Sequence, residues 1–135
     1  MKPSALLAIT LLALVLPLAA AGDTGATGEI SFEKDLMPTL KRRCAACHIT
    51  GTEPGQMALV PGKAYDFLVN VDSVEAKMKR VAPGDPGQSY LIHKLQGTHL
   101  DVGGNGVRMP FHQGPLPQGE IDRFRQWIAE GADKN

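Results

Sequence analysis

Two segments of the chain carry apolar side chains at helical spacing, one near residue 36 and one near the C-terminus. Over residues 32–40 an apolar side chain recurs every four positions, which is the spacing of one helix face. Pro38 interrupts this stretch, so we predict a kink or two short helices, the second running to about His48. The apolar residues of 118–130 also share one face, and Gly131 is expected to end that helix.

The middle of the chain predicts short helices joined by long loops. One helix is expected near residues 63–69 and another from residue 88 or 89 to 96, with Gly97 at its end. Residues 72–82 are ambiguous, because their apolar positions have helical spacing but the segment is short and β-branched at both ends. No segment shows a convincing strand pattern. We therefore predict an all-α fold of three to five helices.

The first 21 residues have the pattern of a secretory signal peptide. Lys2 is the only charged residue before Asp23, an apolar run covers residues 5–16, and small residues precede Gly22. We expect cleavage after Ala21, a flexible lead over residues 22–28 and a single domain over residues 29–135. The apolar run is short of the roughly 20 residues that span a membrane, although an uncleaved anchor is an alternative. The expected location is periplasmic or otherwise exported, with no stable membrane anchor after cleavage.

Charge and composition narrow the possible functions. The chain has 14 Lys and Arg against 14 Asp and Glu, and loss of Lys2 leaves it near neutral, which argues against a nucleic-acid partner. Aromatic residues make up 5%, while Gly and Pro number 15 and 10. Such a small, loop-rich domain usually needs disulfides, a metal or a large cofactor to complete its core. A disulfide between the two cysteines, three positions apart, would close a tiny loop and stabilise little.

The sequence Cys44-Ala45-Ala46-Cys47-His48 is the signature of covalent haem attachment. On a helix, positions three and four apart share a face, so two thiols and one imidazole would point to the same side. The thiols would bind the vinyl groups of one haem and His48 would ligate its iron. The alternatives are a thioredoxin-like dithiol, which lacks its strand–helix pattern here, and a zinc site, which wants four ligands.

Met109 is the predicted sixth iron ligand. It follows a glycine-rich stretch that allows the backbone to approach a flat cofactor closely, and its thioether suits haem iron. His112 is the alternative ligand, three residues further on. We interpret Met57 as loop packing and Met78 as lying near the surface; His93 and His99 are interpreted as ordinary surface residues.

These segments together make the chain similar to the class I-like c-type cytochromes, in particular small monohaem bacterial domains. The resemblance covers nearly all of residues 29–133. It rests on the residues leading into the Cys44–His48 motif, a Pro-Gly-Asp-Pro turn at 83–86, Arg108-Met109-Pro110 and the closing Trp-Ile helix. It implies a cytochrome c-like fold with long loops around one covalently bound haem, His/Met ligation and single-electron transfer.

The leading functional hypothesis is a periplasmic electron carrier that exchanges electrons with redox partner proteins and is not an enzyme. A haem-based ligand-binding or sensor protein is one alternative, in which Met109 is labile on the iron. A cytochrome subunit of a larger respiratory or oxidoreductase complex is another. A peroxidase-like catalytic subunit commonly needs a second haem, and the chain has one attachment motif. The basic run at residues 41–43 is either a docking patch or a solvated helix end.

Overall fold

The structure, a computed structural model, describes residues 28–135. Its four α-helices are α1 (Met37–Arg43), α2 (Ala64–Leu68), α3 (Tyr90–Gln96) and α4 (Gln118–Ala129). Three shorter turns accompany them: a π-helical turn at Phe32–Leu36 and 3₁₀ turns at Pro86–Gln88 and His99–Val102. Within the described residues there is no strand, only isolated bridges. This part of the chain is therefore helical, as the all-α prediction required.

The N-terminal helical segment is built in two pieces, as the proline predicted. The π-helical turn begins after Ser31, whose Oγ accepts the Lys34 N–H at 3.2 Å. The chain passes directly into α1, with Pro38 in its first turn, where a missing N–H costs nothing. The expected extension to His48 is wrong, because α1 ends at Arg43. The carbonyl of Leu40 there accepts the N–H groups of both Cys44 and Ala45 at 2.9 Å, and the regular ladder stops.

The core forms where residues 32–40 meet helix α4. The rings of Phe32 and Trp127 lie 5.1 Å apart between centroids, and the ring of Tyr65 meets Phe32 edge-on at 5.4 Å. The apolar face of residues 121–128 therefore packs on that of residues 32–40. The chain end is fixed to the same place, because the Phe32 N–H donates to Asn135 Oδ1 at 2.7 Å.

The middle of the chain follows most of the predicted pattern. Both short helices form within one or two residues of their expected bounds, and Gly97 ends α3 at φ +82°. The ambiguous residues 72–82 form no helix: most of them are bends, an antiparallel bridge joins Asp72 to Lys79, and a parallel bridge joins Val69 to Val81. The prediction that His99 lies at the surface is wrong. Its side chain is only 3% exposed, because the 3₁₀ turn that carries it folds back against α3.

The expected signal peptide, its cleavage site and the lead up to residue 27 lie outside the described residues. Among residues 28–135, no helix is both long and apolar enough to cross a membrane.

Candidate cofactor site

One cavity brings together the side chains that the sequence singled out. It holds about 1080 Å³ of empty space, partly open to solvent, and Cys44, Cys47, His48 and Met109 all line it. That figure includes open solvent; the cavity itself measures about 200 Å³, smaller than the roughly 300–1000 Å³ of typical ligand pockets. Most of the remaining wall is apolar, with Leu59, Leu68, Leu91, Leu95 and Pro110 among its side chains.

The two cysteines lie on a turn that follows α1. The His48 N–H donates to the carbonyl of Cys44 at 3.1 Å, so one helix-like hydrogen bond persists beyond the helix end. The expectation that a regular helix aligns the motif is therefore wrong, yet the turn still directs both thiols and the imidazole to the cavity. Both thiols are free, Cys44 half-buried and Cys47 exposed.

Burial governs the chemistry of the inner thiol. Desolvation raises the pKa of Cys44 to about 11, against a smaller opposing effect of the neighbouring Arg43 charge. A free thiolate is the reactive form in metal binding and disulfide exchange. Cys44 is therefore held as a protonated thiol near neutral pH, which disfavours both of those roles in the folded chain.

The two ring nitrogens of His48, which lines the cavity, differ in burial. Its Nδ1 is buried with no hydrogen-bond partner among the described residues, whereas Nε2 is not among the buried unpartnered atoms. Burial lowers the pKa of His48, which favours the neutral imidazole that binds metals. In metal-ligating histidines, the ring nitrogen that does not bind the metal usually donates its N–H to an acceptor. His48 differs, because its Nδ1 has no such partner among the described residues.

The loop after His48 packs directly on its imidazole. Gly55 has φ +86°, and a Cβ added there would lie 3.8 Å from His48 Cε1 and 3.1 Å from Met57 Cε. The loop therefore fits closely because this position is glycine. Met57 also lines the cavity, and its Cε and the imidazole Cε1 lie on either side of the Gly55 position.

Met109 is held on a different wall, along α3. Its N–H donates to the carbonyl of Lys94 at 3.0 Å, and Arg108 Nε donates to the carbonyl of Leu95 at 2.9 Å. His112 is exposed, with its ring centroid 3.7 Å from that of Phe111, and it does not line the cavity. Of the two sixth-ligand candidates, the structure brings Met109 to the cavity and leaves His112 outside it.

A polar cluster that the sequence analysis missed also lines the cavity. Lys94 Nζ lies 2.9 Å from Glu75 Oε2 and donates to the carbonyl of Asn105 at 3.1 Å. The hydroxyl of Tyr90 donates to the same Glu75 oxygen at 3.0 Å. Burial, followed by this hydrogen bond, raises the pKa of Tyr90 to about 12. Lys94 is only 8% exposed, and nothing in its sequence context signals a buried lysine.

Arg80 is a second buried cation that sequence reasoning missed. It is 5% exposed, and Nη1 donates to the carbonyl of Phe67 at 2.8 Å. Nη2 donates to the carbonyls of Gly55 and Gln56 at 2.9 and 3.0 Å. Its Nε is buried without a partner among the described residues, and burial lowers the pKa of the guanidinium.

The basic run at residues 41–43 is largely engaged within the protein. Arg42 pairs with Glu120 at 3.2 Å. Arg43 Nη2 donates to the carbonyls of Gln113 and Gly114 at 3.1 and 3.2 Å. Lys41 is exposed, so the run resembles a tethered helix end more than an open basic patch.

The donors around the cavity fit an iron porphyrin. They comprise two free thiols, a neutral imidazole and a thioether, with buried positive charge nearby. Within the described part of the chain, no group of three or more His, Cys, Asp and Glu side chains converges to hold a metal ion. No protein-family model matches the chain, and no curated protein or solved structure matches it significantly.

Proposed function

We propose that this protein is an exported, single-haem c-type cytochrome that carries electrons between partner proteins. The observation that carries the proposal is the convergence of Cys44, Cys47, His48 and Met109 on one cavity. Met109 lies 61 positions beyond His48 in the sequence, so nothing local brings the two to the same cavity. The helical character of the described residues supports a cytochrome c-like fold, and the N-terminal pattern supports export.

Each of the four residues has a defined task in this proposal. The thiols of Cys44 and Cys47 would hold the cofactor covalently, each adding its sulfur and its hydrogen across one vinyl group. His48 and Met109 would hold the iron through an imidazole nitrogen and a thioether sulfur. When bound, haem supplies an iron that cycles between ferrous and ferric states by one electron.

The donor set favours a carrier over an enzyme or a sensor. With both His48 and Met109 holding the iron, no position would remain open for oxygen, carbon monoxide or peroxide. The apolar wall excludes water and lowers the local dielectric, and the thioether ligand raises the reduction potential relative to other axial pairs. The partners would exchange electrons at the open side of the cavity, beside the exposed Cys47.

An optical spectrum of the purified full chain tests the proposal directly. Sharp bands in the reduced protein are expected, together with a weak sulfur-to-iron band at the red end in the oxidised protein. Haem should stay with the chain through acid and organic solvent. Carbon monoxide should leave the reduced spectrum unchanged; rapid binding would point to a ligand-binding haem protein instead. A purified chain without haem bands would contradict the proposal.

A further inference from the structure

The cavity wall contains a buried positive charge without a counter-ion. No Asp or Glu oxygen of residues 28–135 lies within 4.0 Å of the Arg80 guanidinium nitrogens. Its hydrogen-bond acceptors are three backbone carbonyls, which carry no net charge. Burying a charge is costly unless it is paired, so this arrangement calls for an anion.

Some N–H donors of the Arg80 guanidinium have no acceptor among residues 28–135. A guanidinium has five N–H bonds, and three of them are used by the carbonyls of Phe67, Gly55 and Gln56. The Nε–H is buried and unpartnered, and Arg80 lines the cavity. Arginine binds carboxylates more specifically than lysine does, because its planar fork matches their two oxygens.

The other charged groups around the cavity do not supply the missing anion. Glu75 already forms an ion pair with Lys94 and accepts a hydrogen bond from Tyr90. The Glu75–Lys94 pair has no net charge. Arg43 adds a further positive charge beside Cys44. The described lining residues therefore hold more cations than anions, and Arg80 is the most deeply buried of the cations without an acid.

We propose that Arg80 binds a propionate carboxylate of the haem. This inference rests on the proposed function. Haem carries its vinyl groups on one edge and its propionates on the other, so attachment at Cys44 and Cys47 directs the carboxylates away from those thiols. Outside the Cys44–His48 motif and the neighbouring Arg43 and Gln113, the hydrogen-bonding polar side chains of the lining belong to one stretch, residues 73–94: Ser73, Glu75, Arg80, Tyr90 and Lys94.

The same contact would couple cofactor binding to the loop that covers His48. Arg80 holds the carbonyls of Gly55 and Gln56, and Gly55 packs against the imidazole. A carboxylate on Arg80 neutralises the buried charge and removes the cost of keeping the guanidinium there. Arg80 thereby acts as a positioning residue for the imidazole side of the site as well as an anion-binding residue.

The test is a comparison of purified holoproteins by resonance Raman spectroscopy and redox titration. Arg80→Met removes the charge at similar length, and Arg80→Lys keeps it without the fork. In Arg80→Met we expect the propionate-bending band to shift and the reduction potential to fall, because losing a nearby positive charge favours ferric iron. Arg80→Lys should shift the band while lowering the potential less. The matched control Arg43→Met removes a cation near the thiols and should leave the propionate band in place.

The possible outcomes distinguish a failure of the Arg80 inference from a failure of the proposed function. A wild-type chain without covalent haem overturns both. A wild-type chain with haem, and an Arg80→Met variant whose propionate band is unmoved, overturns the role of Arg80 alone. Should Arg80→Met fail to accumulate, Arg80→Lys decides the question, because an unmoved band in that variant is equally contradictory.

Discussion

The backbone N–H of Met109 donates to the carbonyl of Lys94 at 3.0 Å, and this single bond ties the candidate sixth ligand to helix α3. The ammonium of the same lysine pairs with Glu75 at 2.9 Å inside the cavity. One residue of α3 therefore binds the Met109 segment through its main chain and a buried acid through its side chain. The glycine-rich loop before Met109 is thus guided to the cavity by a rigid element rather than left free.

Replacing Met109 by alanine should open the iron without releasing haem. The thioether bonds and His48 remain, so we expect haem to stay attached while the reduction potential falls and reduced protein binds carbon monoxide. Met57→Ala is the matched control, because it removes another thioether from the cavity lining and should leave six-coordination intact. Spectra and redox titrations of both variants provide the measurement. An unchanged potential and spectrum in Met109→Ala would make His112 the next residue to test.

The two cysteines should contribute separately to attachment. Changing Cys44 or Cys47 to Ser removes one thioether, so we expect reduced covalent attachment in each single variant. The double variant should release any bound haem into acid and organic solvent, because no sulfur–carbon bond remains. Extraction followed by absorbance of both phases measures this. Complete extraction from the wild-type chain under the same treatment would show that attachment is not covalent.

The loop that carries Met109 should depend on the absence of a side chain at Gly104. A Cβ there would lie 2.6 Å from the carbonyl oxygen of His99 and would overlap the Tyr90 hydroxyl. We expect Gly104→Ala to lower the free energy of unfolding by roughly 1–3 kcal/mol, as overpacking does. Gly119→Ala is the control, because nothing lies within 4 Å of a Cβ at that position in α4. Denaturant unfolding of the two holoproteins compares them; equal midpoints would contradict the steric argument.

The parts of the site that sequence predicted are those with local signals. A Cys-x-x-Cys-His motif is contiguous, and an apolar residue every four positions identifies the faces that meet at Phe32 and Trp127. Met109 was recognisable from its glycine-rich and proline neighbours. The approach of Met109 to the same cavity as His48 depends on a hydrogen bond to α3, which no local pattern encodes.

The buried charges could not be predicted, because their partners are distant in sequence and chemically ordinary. Arg80 donates hydrogen bonds to carbonyls 13, 24 and 25 positions away. Every residue has a backbone carbonyl, so the sequence does not indicate which ones accept these bonds. Lys94 resembles any helical surface lysine until Glu75 is seen beside it. The end of α1 at Arg43 was missed for a related reason, since no glycine or proline breaks the helix before the cysteines.

The chain without haem should not hold its native packing. Its apolar supply is small and the cavity occupies the interior between α1 and α3, so an empty cavity would leave apolar walls without partners. We expect haem-free protein to be largely unfolded or to bind a hydrophobic dye as a molten globule does. Circular dichroism during heating measures this against the holoprotein as reference. A cooperative transition close to that of the holoprotein would contradict the expectation.

Glu53 should make the loop beyond His48 sensitive to acid. Its carboxylate accepts hydrogen bonds from the N–H and hydroxyl of Thr50 and the N–H of Gly51, all at 2.9 Å. Hydrogen bonds from its own N–H and from Thr50 lower the pKa of Glu53 from 4.5 to about 2. Because the folded-state pKa is depressed, the stabilisation is complete above about pH 4.5 and is lost as the pH falls towards 2.

The variant Glu53→Gln isolates that charge. It keeps one acceptor oxygen but cannot ionise, so its denaturation midpoint should lie below that of the wild type near neutral pH. The difference should shrink as the pH falls below about 4.5 and vanish only below about pH 2, where the wild-type carboxyl in the folded protein is protonated as well. Glu33→Gln is the control, because the Glu33 carboxylate has no hydrogen-bond or ion-pair partner among residues 28–135, and its effect should not follow this pH course. A Glu53→Gln difference that is constant with pH would show that the carboxylate charge is not what holds the loop.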